Sequence, residues 1–339
     1  MSLTVSIVIP TYHRPKDLAT CLDAILRQSV LPLEVIVVDN DAGKSAQDAV
    51  CQYEARYSAR RIALRYEASQ KNSSPFARNL GVKLSRGDIV VFLDDDVILE
   101  EDYLNEILKV YEAKPTALGV QGYVSGPAKP RSWRRVFFLY HVELGMCRVL
   151  PSVQVIYPLK PGTVIPCEFL IGCNASYRRS ILVEFPGDEN LIKYSYGEDV
   201  DQSYRIYKSY PDALWMTPFA QCIHRVSMAG RAISRERAYM VEVYGLYLFY
   251  KLFPHTPKNL AIYWWSVFGR IMEKAKHPSH KNCTELRHQL GALSFCLRHL
   301  GELRAGNLDF FNRTLVESIR SPDRMRSKKT ALPLSIEQS

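Results

Sequence analysis

Short β-branched and aliphatic runs alternate with amphipathic stretches over the first hundred positions. Val5–Ile9 reads as a strand, and Pro10-Thr11-Tyr12-His13-Arg14-Pro15 as the polar loop after it. Between Asp17 and Gln28, Leu18, Cys21, Leu22, Ile25 and Leu26 recur at helical spacing and share one face. Glu34–Val38 predicts a second strand ending at Asp39-Asn40-Asp41, followed by a helix over about 46–56 and a short strand at Ala63–Tyr66. Ala77–Leu84 predicts the next helix, and Gly87-Asp88 turns the chain into the apolar run Ile89-Val90-Val91-Phe92-Leu93. Strands alternating with helical patterns are the signature of βαβ units and a mainly parallel sheet.

That last run ends in three consecutive carboxylates, Asp94, Asp95 and Asp96. A strand apolar on both faces is buried in a parallel sheet, so its carboxyl end is where the chain meets solvent and where open α/β sheets bind ligands. Adjacent anions repel, and an oxygen-preferring divalent cation such as Mg²⁺ or Mn²⁺ would relieve them. Asp is equally a good helix N-cap, so on these three residues alone a solvated, capped turn stands beside the metal site. Three strand ends, at Pro10, Asp39 and Asp94, deliver polar loops to one edge, as a nucleotide site needs. Neither G-x-G-x-x-G after the first strand nor G-x-x-x-x-G-K-[ST] occurs, so phosphate charge must be met by something other than a glycine-rich loop.

Beyond Gly126 the regularity fades. Gly126–Pro130 is linker-like, and Trp133–Tyr140 mixes aromatics with arginine. Phe169-Leu170-Ile171-Gly172-Cys173-Asn174 is an apolar approach to a glycine-bearing bend. A second acidic cluster, Gly197-Glu198-Asp199-Val200-Asp201, opens a helix through Arg205 and Tyr207. Acids in a first helical turn favour the helix dipole, which is the plain alternative to a catalytic role.

Composition narrows the class. The 339 residues are 47% hydrophobic and 23% charged, ordinary for a globular protein and long enough for a large α/β domain with an appendage. The eight cysteines form no C-x-x-C pair, which argues against a zinc ribbon and a disulfide framework. With the first strand starting almost at once and no secretory signal ahead of it, a reducing cytoplasmic setting is expected. The net charge of +9 is concentrated from Arg225 onward, where 19 Lys and Arg face 9 Asp and Glu. A basic end points to a polyanionic surface, either nucleic acid or an anionic membrane. Zinc-finger, RRM-like and helix-turn-helix signatures are absent, so nucleic acid is not expected as a partner.

Val5–Tyr12, Glu34–Asn40, Ala77-Arg78-Asn79-Leu80-Gly81, Val91–Asp96, Ile171–Asn174 and Gly197–Asp201, in this order and spacing over roughly residues 4–226, resemble glycosyltransferase family 2. The resemblance implies an α/β fold of the GT-A type: a mainly parallel, Rossmann-like central sheet flanked by helices. It implies a catalytic domain over 1–226, with a nucleotide-sugar half at 1–125 and an acceptor half at 126–226. It also implies an inverting, hexosyl- or deoxyhexosyl-type transfer from a nucleoside diphosphate sugar, in cell-surface polysaccharide or glycolipid synthesis. Carried over residue by residue, Pro10, Thr11, Tyr12 and Arg14 would line the nucleotide pocket. Asp39 would accept a hydrogen bond from the base, favouring a UDP- or dTDP-type donor, and Arg78 would sit by the base and diphosphate. Asp94 and Asp95 would approach the ribose and sugar, and Asp96 would bind a divalent metal, Mn²⁺ or Mg²⁺, with His224 as a second ligand. Asp199 would be the general base. Arg225, Arg231, Arg235 and Arg237 would supply a diphosphate clamp or form a solvated face. The rival enzyme class, a nucleotidyltransferase, also places a metal at a strand end, but lacks the Glu198-Asp199 pair.

After Ser227 the motifs stop. Residues 227–319 read as a helical appendage, dense in aromatics at Ala238–Phe253 and Ala261–Phe268, and 320–339 as a flexible basic tail. Neither aromatic segment reaches the roughly 20 apolar residues of a spanning helix. Two readings are open: helices lying on the inner face of the plasma membrane, consistent with a lipid-linked or glycan acceptor, or aromatics packed on the catalytic domain.

Overall fold

A computed structural model describes residues 3–125, 147–158, 160–193, 195–227, 234–276 and 279–320. The linker-like stretch at 126–130, the aromatic stretch at 133–140, Arg231 and the tail after residue 320 lie outside the described residues. The chain opens as β1 (Val5–Thr11), α1 (Pro15–Leu26), β2 (Glu34–Asp39), α2 (Gln47–Cys51), α3 (Glu54–Ala59), β3 (Ala63–Ala68), α4 (Ser74–Leu84) and β4 (Ile89–Phe92). The helix expected at about 46–56 is two short ones; Tyr53, between them, is buried and donates its hydroxyl to Ala19 O of α1. Helix α4 starts three residues earlier than its apolar pattern, because Ser73 accepts from Phe76 N as N-cap and Pro75 fits the first turn.

The chain continues as β5 (Val97–Leu99), α5 (Tyr103–Ala113), β6 (Gly119–Val124), β7 (Arg148–Val149), β8 (Val155–Ile156), β9 (Ile165–Pro166), β10 (Ala175–Arg178), α6 (Arg179–Glu184), α7 (Glu198–Ser209) and β11 (Leu214–His224). The sheet runs β3-β2-β1-β4-β10-β6-β11-β5, with β9 paired to β11. Strands β3, β2, β1 and β4 are parallel neighbours, while β10 is antiparallel between β4 and β6. Alternate strand residues feed two cores. Ile7, Ile9, Val35, Val37 and Val91 pack on the α1 and α5 side; Val8, Ile36, Val38, Val90 and Phe92 pack on the α4 side.

Five further helices follow: α8 (Ser234–Leu252), α9 (Pro257–Ala275), α10 (His280–Arg298), α11 (Leu300–Arg304) and α12 (Asp309–Arg320). They do not stand apart from the sheet. Val243, Tyr244, Leu246, Leu248 and Phe249 of α8 are buried in the same cluster as Val8, Phe92, Tyr177 and Val200. No described helix is long and apolar enough to cross a membrane.

Candidate active site

The parallel register Val8–Phe92 and Thr11–Asp39 brings the carboxyl ends of β1, β2 and β4 to one edge. Asp94–Asp96 follow β4, and the chain then enters β5 rather than a helix, so the triplet caps nothing. The nearest downstream helix, α5, begins at Tyr103.

The three carboxylates point three ways. Asp95 is buried, accepting from Thr11 Oγ1 (2.7 Å) and Arg14 Nη1 (3.0 Å). Burial pushes its carboxyl up to about 7 against the opposing pull of Arg14 and Thr11. Asp96 uses Oδ2 for the Ser227 amide (2.8 Å) and Arg14 Nη1 (3.4 Å). Its Oδ1 is buried and lies 3.0 Å from His224 Nε2. Burial works against ionisation of Asp96, but His224, the Ser227 amide and Arg14 together hold its carboxyl below the usual range. Asp94 Oδ2 lies 4.0 Å from the same imidazole nitrogen.

Strand register explains why His224 arrives here. In the β5–β11 ladder Val97 pairs with His224, so the residue before Val97 meets the imidazole, and Arg225 N bonds Asp96 O (3.0 Å). One ligand atom each from Asp94, Asp96 and His224 lies within 4.8 Å of the other two. Two carboxylate oxygens and one imidazole nitrogen suit a divalent ion of intermediate hardness. Asp96 Oδ1, buried beside an imidazole nitrogen with Asp94 at hand, has the environment a cation completes.

Arg78, buried on α4, joins this cluster to the second acidic motif. Its Nη2 donates to Asp94 Oδ1 (3.2 Å) and to Gly172 O (3.1 Å), and its Nη1 donates to Glu198 Oε1 (2.9 Å). A Cβ at 172 would lie 2.9 Å from both guanidinium nitrogens, so any larger residue there requires Arg78 to shift. The same Gly172 donates its N–H to Asp199 Oδ2 (3.0 Å). Asp199 stands in the first turn of α7, whose N-cap is Gly197 in the left-handed region (φ 77°). Burial and neighbouring Asp199 push Glu198 up to about 7, against Arg78.

On the far side, Asp39 is fully buried and accepts from Asp41 N (3.0 Å), Ala46 N (2.9 Å) and Tyr66 Oη (3.1 Å). Pro10 and Tyr12 flank Thr11 at the end of β1, and the Tyr12 ring meets His13 edge-on at 4.2 Å. Burial raises the Tyr12 phenol, with Asp41 and Glu236 adding to the effect. Sequence reasoning did not single out Asp41, whose carboxylate takes Gly43 N, Ser45 N and His13 Nδ1 (3.2 Å). It also missed the Lys193–Glu236 ion pair, which brings α8 to the Tyr12 side. The D-x-x-x-S spacing of Asp41 and Ser45 was the available signal for the first; the second spans 43 residues and has none.

An open, mostly parallel sheet with a carboxylate cluster that could hold a metal after its fourth strand and a second acidic motif opening a helix defines a GT-A fold. Two solved structures share it. A mannosyltransferase from Pyrobaculum calidifontis, determined with GDP-Man and Mn²⁺, superposes with TM-score 0.53 at 17% identity, covering 96% of this chain and 83% of that one. S. aureus TarS 1–349 with UDP-GlcNAc gives 0.52 at 16%, covering 94% and 92%. The model of glycosyl transferase family 2 matches residues 6–185. The amylovoran biosynthesis glycosyltransferase AmsB of Erwinia amylovora is 34% identical over 266 residues, 76% of this chain and 80% of that protein. An uncharacterized glycosyltransferase of Bacillus subtilis, YwdF, is 36% identical over 110 residues, 32% of this chain and 39% of its own length. The chain belongs to glycosyltransferase family 2, which sets aside the nucleotidyltransferase alternative.

Proposed function

We propose that this glycosyltransferase moves a sugar from a nucleoside diphosphate donor to an acceptor hydroxyl with inversion, in one displacement assisted by a divalent cation. The observation carrying the reading is the buried Asp96 Oδ1, facing His224 with Asp94 alongside and joined through Arg78 and Gly172 to Asp199. Asp94, Asp96 and His224 would hold Mn²⁺ or Mg²⁺, which supplies Lewis-acid stabilisation of the departing diphosphate. Asp199, oriented by the Gly172 N–H, takes the proton of the attacking hydroxyl, a contribution on the order of 10² to 10⁴ in rate. One base suffices, because a diphosphate leaves with little need of a proton.

Pro10, Thr11, Tyr12 and Asp39 line the donor side in this reading. An ionised carboxylate offers about four lone-pair positions. Three at Asp39 are taken by Asp41 N, Ala46 N and Tyr66 Oη, and the fourth, covered in this structure, would accept the N3–H of uracil or thymine once exposed. A UDP- or dTDP-sugar is the donor class this favours. The name of the Erwinia relative supports a polysaccharide or lipid-linked acceptor. Trp265, Phe268 and Met272, 40 to 45% exposed at i, i+3 and i+7 on α9, support contact with an anionic membrane surface.

A panel of nucleotide sugars with Mn²⁺, followed by release of nucleoside diphosphate, tests the proposal. One pyrimidine donor should be consumed, and both chelator and Asp96→Ala should abolish release. Asp199→Asn should reduce turnover at least about 10²-fold while the donor still raises Tm. Undiminished turnover in Asp199→Asn removes the base assignment, and undiminished turnover in chelator removes the metal.

A further inference from the structure

Helix α7 carries Asp199 in its first turn, and what fixes that turn lies 50 residues downstream on α8. Asp201, two residues beyond Asp199, is fully buried. Its Oδ2 pairs with Arg205 (Nη2 at 3.0 Å), one turn along the same helix, and its Oδ1 lies 2.8 Å from Lys251 Nζ. Lys251 also donates to Asp188 Oδ2 at 2.6 Å, an oxygen that takes the Tyr247 hydroxyl as well (2.5 Å). One ammonium therefore bridges two largely buried carboxylates from separate parts of the catalytic domain. One turn back along α8, Leu248 closes over Gly197, the left-handed N-cap of α7: a Cβ at 197 would come within 2.8 Å of Leu248 Cδ1. At its other end α7 is tied down by Lys208 Nζ donating to Leu252 O (3.0 Å).

These contacts bracket the turn between Gly197 and Asp201, within which the Asp199 carboxylate accepts from the Gly172 and Val200 amides. We infer that Lys251 is a positioning residue for the transfer reaction: by holding Asp201 and Asp188 together it sets the first turn of α7, and with it the aim of the Asp199 carboxylate. This rests on the proposal that Asp199 is the base. Carboxylate aim matters steeply, since a displacement of about 1 Å from productive geometry can cost roughly 10² in rate. The helical region after residue 227 is then part of the catalytic apparatus, although Lys251 touches neither the metal-ligating cluster nor Asp199.

Lys251→Met leaves the acidic pair without its cation and will destabilise the fold, because breaking a buried pair strands a charge. The informative variant is Lys251→Met with Asp188→Asn, which removes the ammonium together with one carboxylate and leaves Asp201 its ion pair with Arg205; Lys251→Arg keeps the cation. The Gly172 amide resonance in the full-length protein reports the carboxylate directly, with Asp199→Asn marking its position when that carboxylate is lost. The double variant should move this resonance toward the Asp199→Asn position, with Mn²⁺ affinity within about twofold of wild type, and Lys251→Arg should leave it in place. In the donor assay the double variant should lose at least about tenfold in kcat at unchanged donor KM, with Lys251→Arg restoring it. A Gly172 amide at its wild-type position in the double variant overturns the inference. Failure of the base reading looks different: Asp199→Asn retains turnover, whatever the Gly172 resonance does.

Discussion

Glu198 is partly buried, 2.9 Å from Arg78 Nη1 and next in sequence to Asp199, and its carboxyl is pushed up to about 7, first by desolvation and then by Asp199. In the unfolded chain an ordinary Glu titrates near 4.3. Between these values the folded state holds a proton that the unfolded state has lost. Glu198 thus contributes stability that is fully present below the unfolded value and is lost as pH rises through about 7. Wild type should gain Tm relative to Glu198→Gln as pH is lowered from about 7.5 to about 5, measured by thermal unfolding without added metal. An unchanged difference across that interval would mean that Glu198 stays ionised throughout. Several residues of the site were legible one by one. Asp96 and His224 were named as ligands and the structure brings them within 3.0 Å, while Asp94, expected on the sugar side, falls in the same ligand cluster. The division of labour within the triplet was not legible, because it depends on which way each side chain turns around Arg14 and Arg78.

At the scale of elements, the bend at Gly172 connects the two acidic motifs. Its carbonyl accepts from Arg78 and its amide donates to Asp199, so a single peptide segment sets the spacing between the cluster of Asp94, Asp96 and His224 and Asp199. Gly172→Ala would place a methyl 2.9 Å from both guanidinium nitrogens of a buried arginine. The expected cost is about 1–3 kcal/mol of stability in denaturant unfolding, with weaker Mn²⁺ binding as Arg78 is pushed off Asp94. Stability equal to wild type would show that Arg78 has room to move aside. Strands β1, β2 and β4 were readable from apolar runs because both faces of each are covered, leaving runs of Val and Ile, whereas β3 at the sheet edge is half-buried throughout and was read two residues short. Strands β7, β8 and β9 were not, since two residues carry no period. Antiparallel β10 was hidden for another reason: its Ala-Ser-Tyr-Arg sequence has no apolar run, and its burial comes from neighbours distant in sequence.

For the whole molecule, the question left open by the sequence was what the aromatics after residue 227 do. Most pack inward: Tyr244, Phe249 and Tyr263 are buried and share a core with the sheet. Trp265 and Phe268 remain 43 and 45% exposed on α9, and the chain's net positive charge falls after residue 227, where 18 Lys and Arg face 9 Asp and Glu. Sedimentation with phosphatidylglycerol vesicles should carry the protein down at low salt, phosphatidylcholine should not, and Trp265→Ser with Phe268→Ser should weaken the binding several-fold. Indifference to anionic vesicles would leave the region with its packing role alone.

Single displacement by an acceptor activated at Asp199 fixes the stereochemistry of the product. Water can stand in for an unidentified acceptor, so the anomeric proton of the sugar released from the consumed donor, read by NMR before mutarotation, gives the outcome directly. An α-linked donor should yield the β-sugar first. Release of the α-sugar would contradict the displacement at the centre of the account.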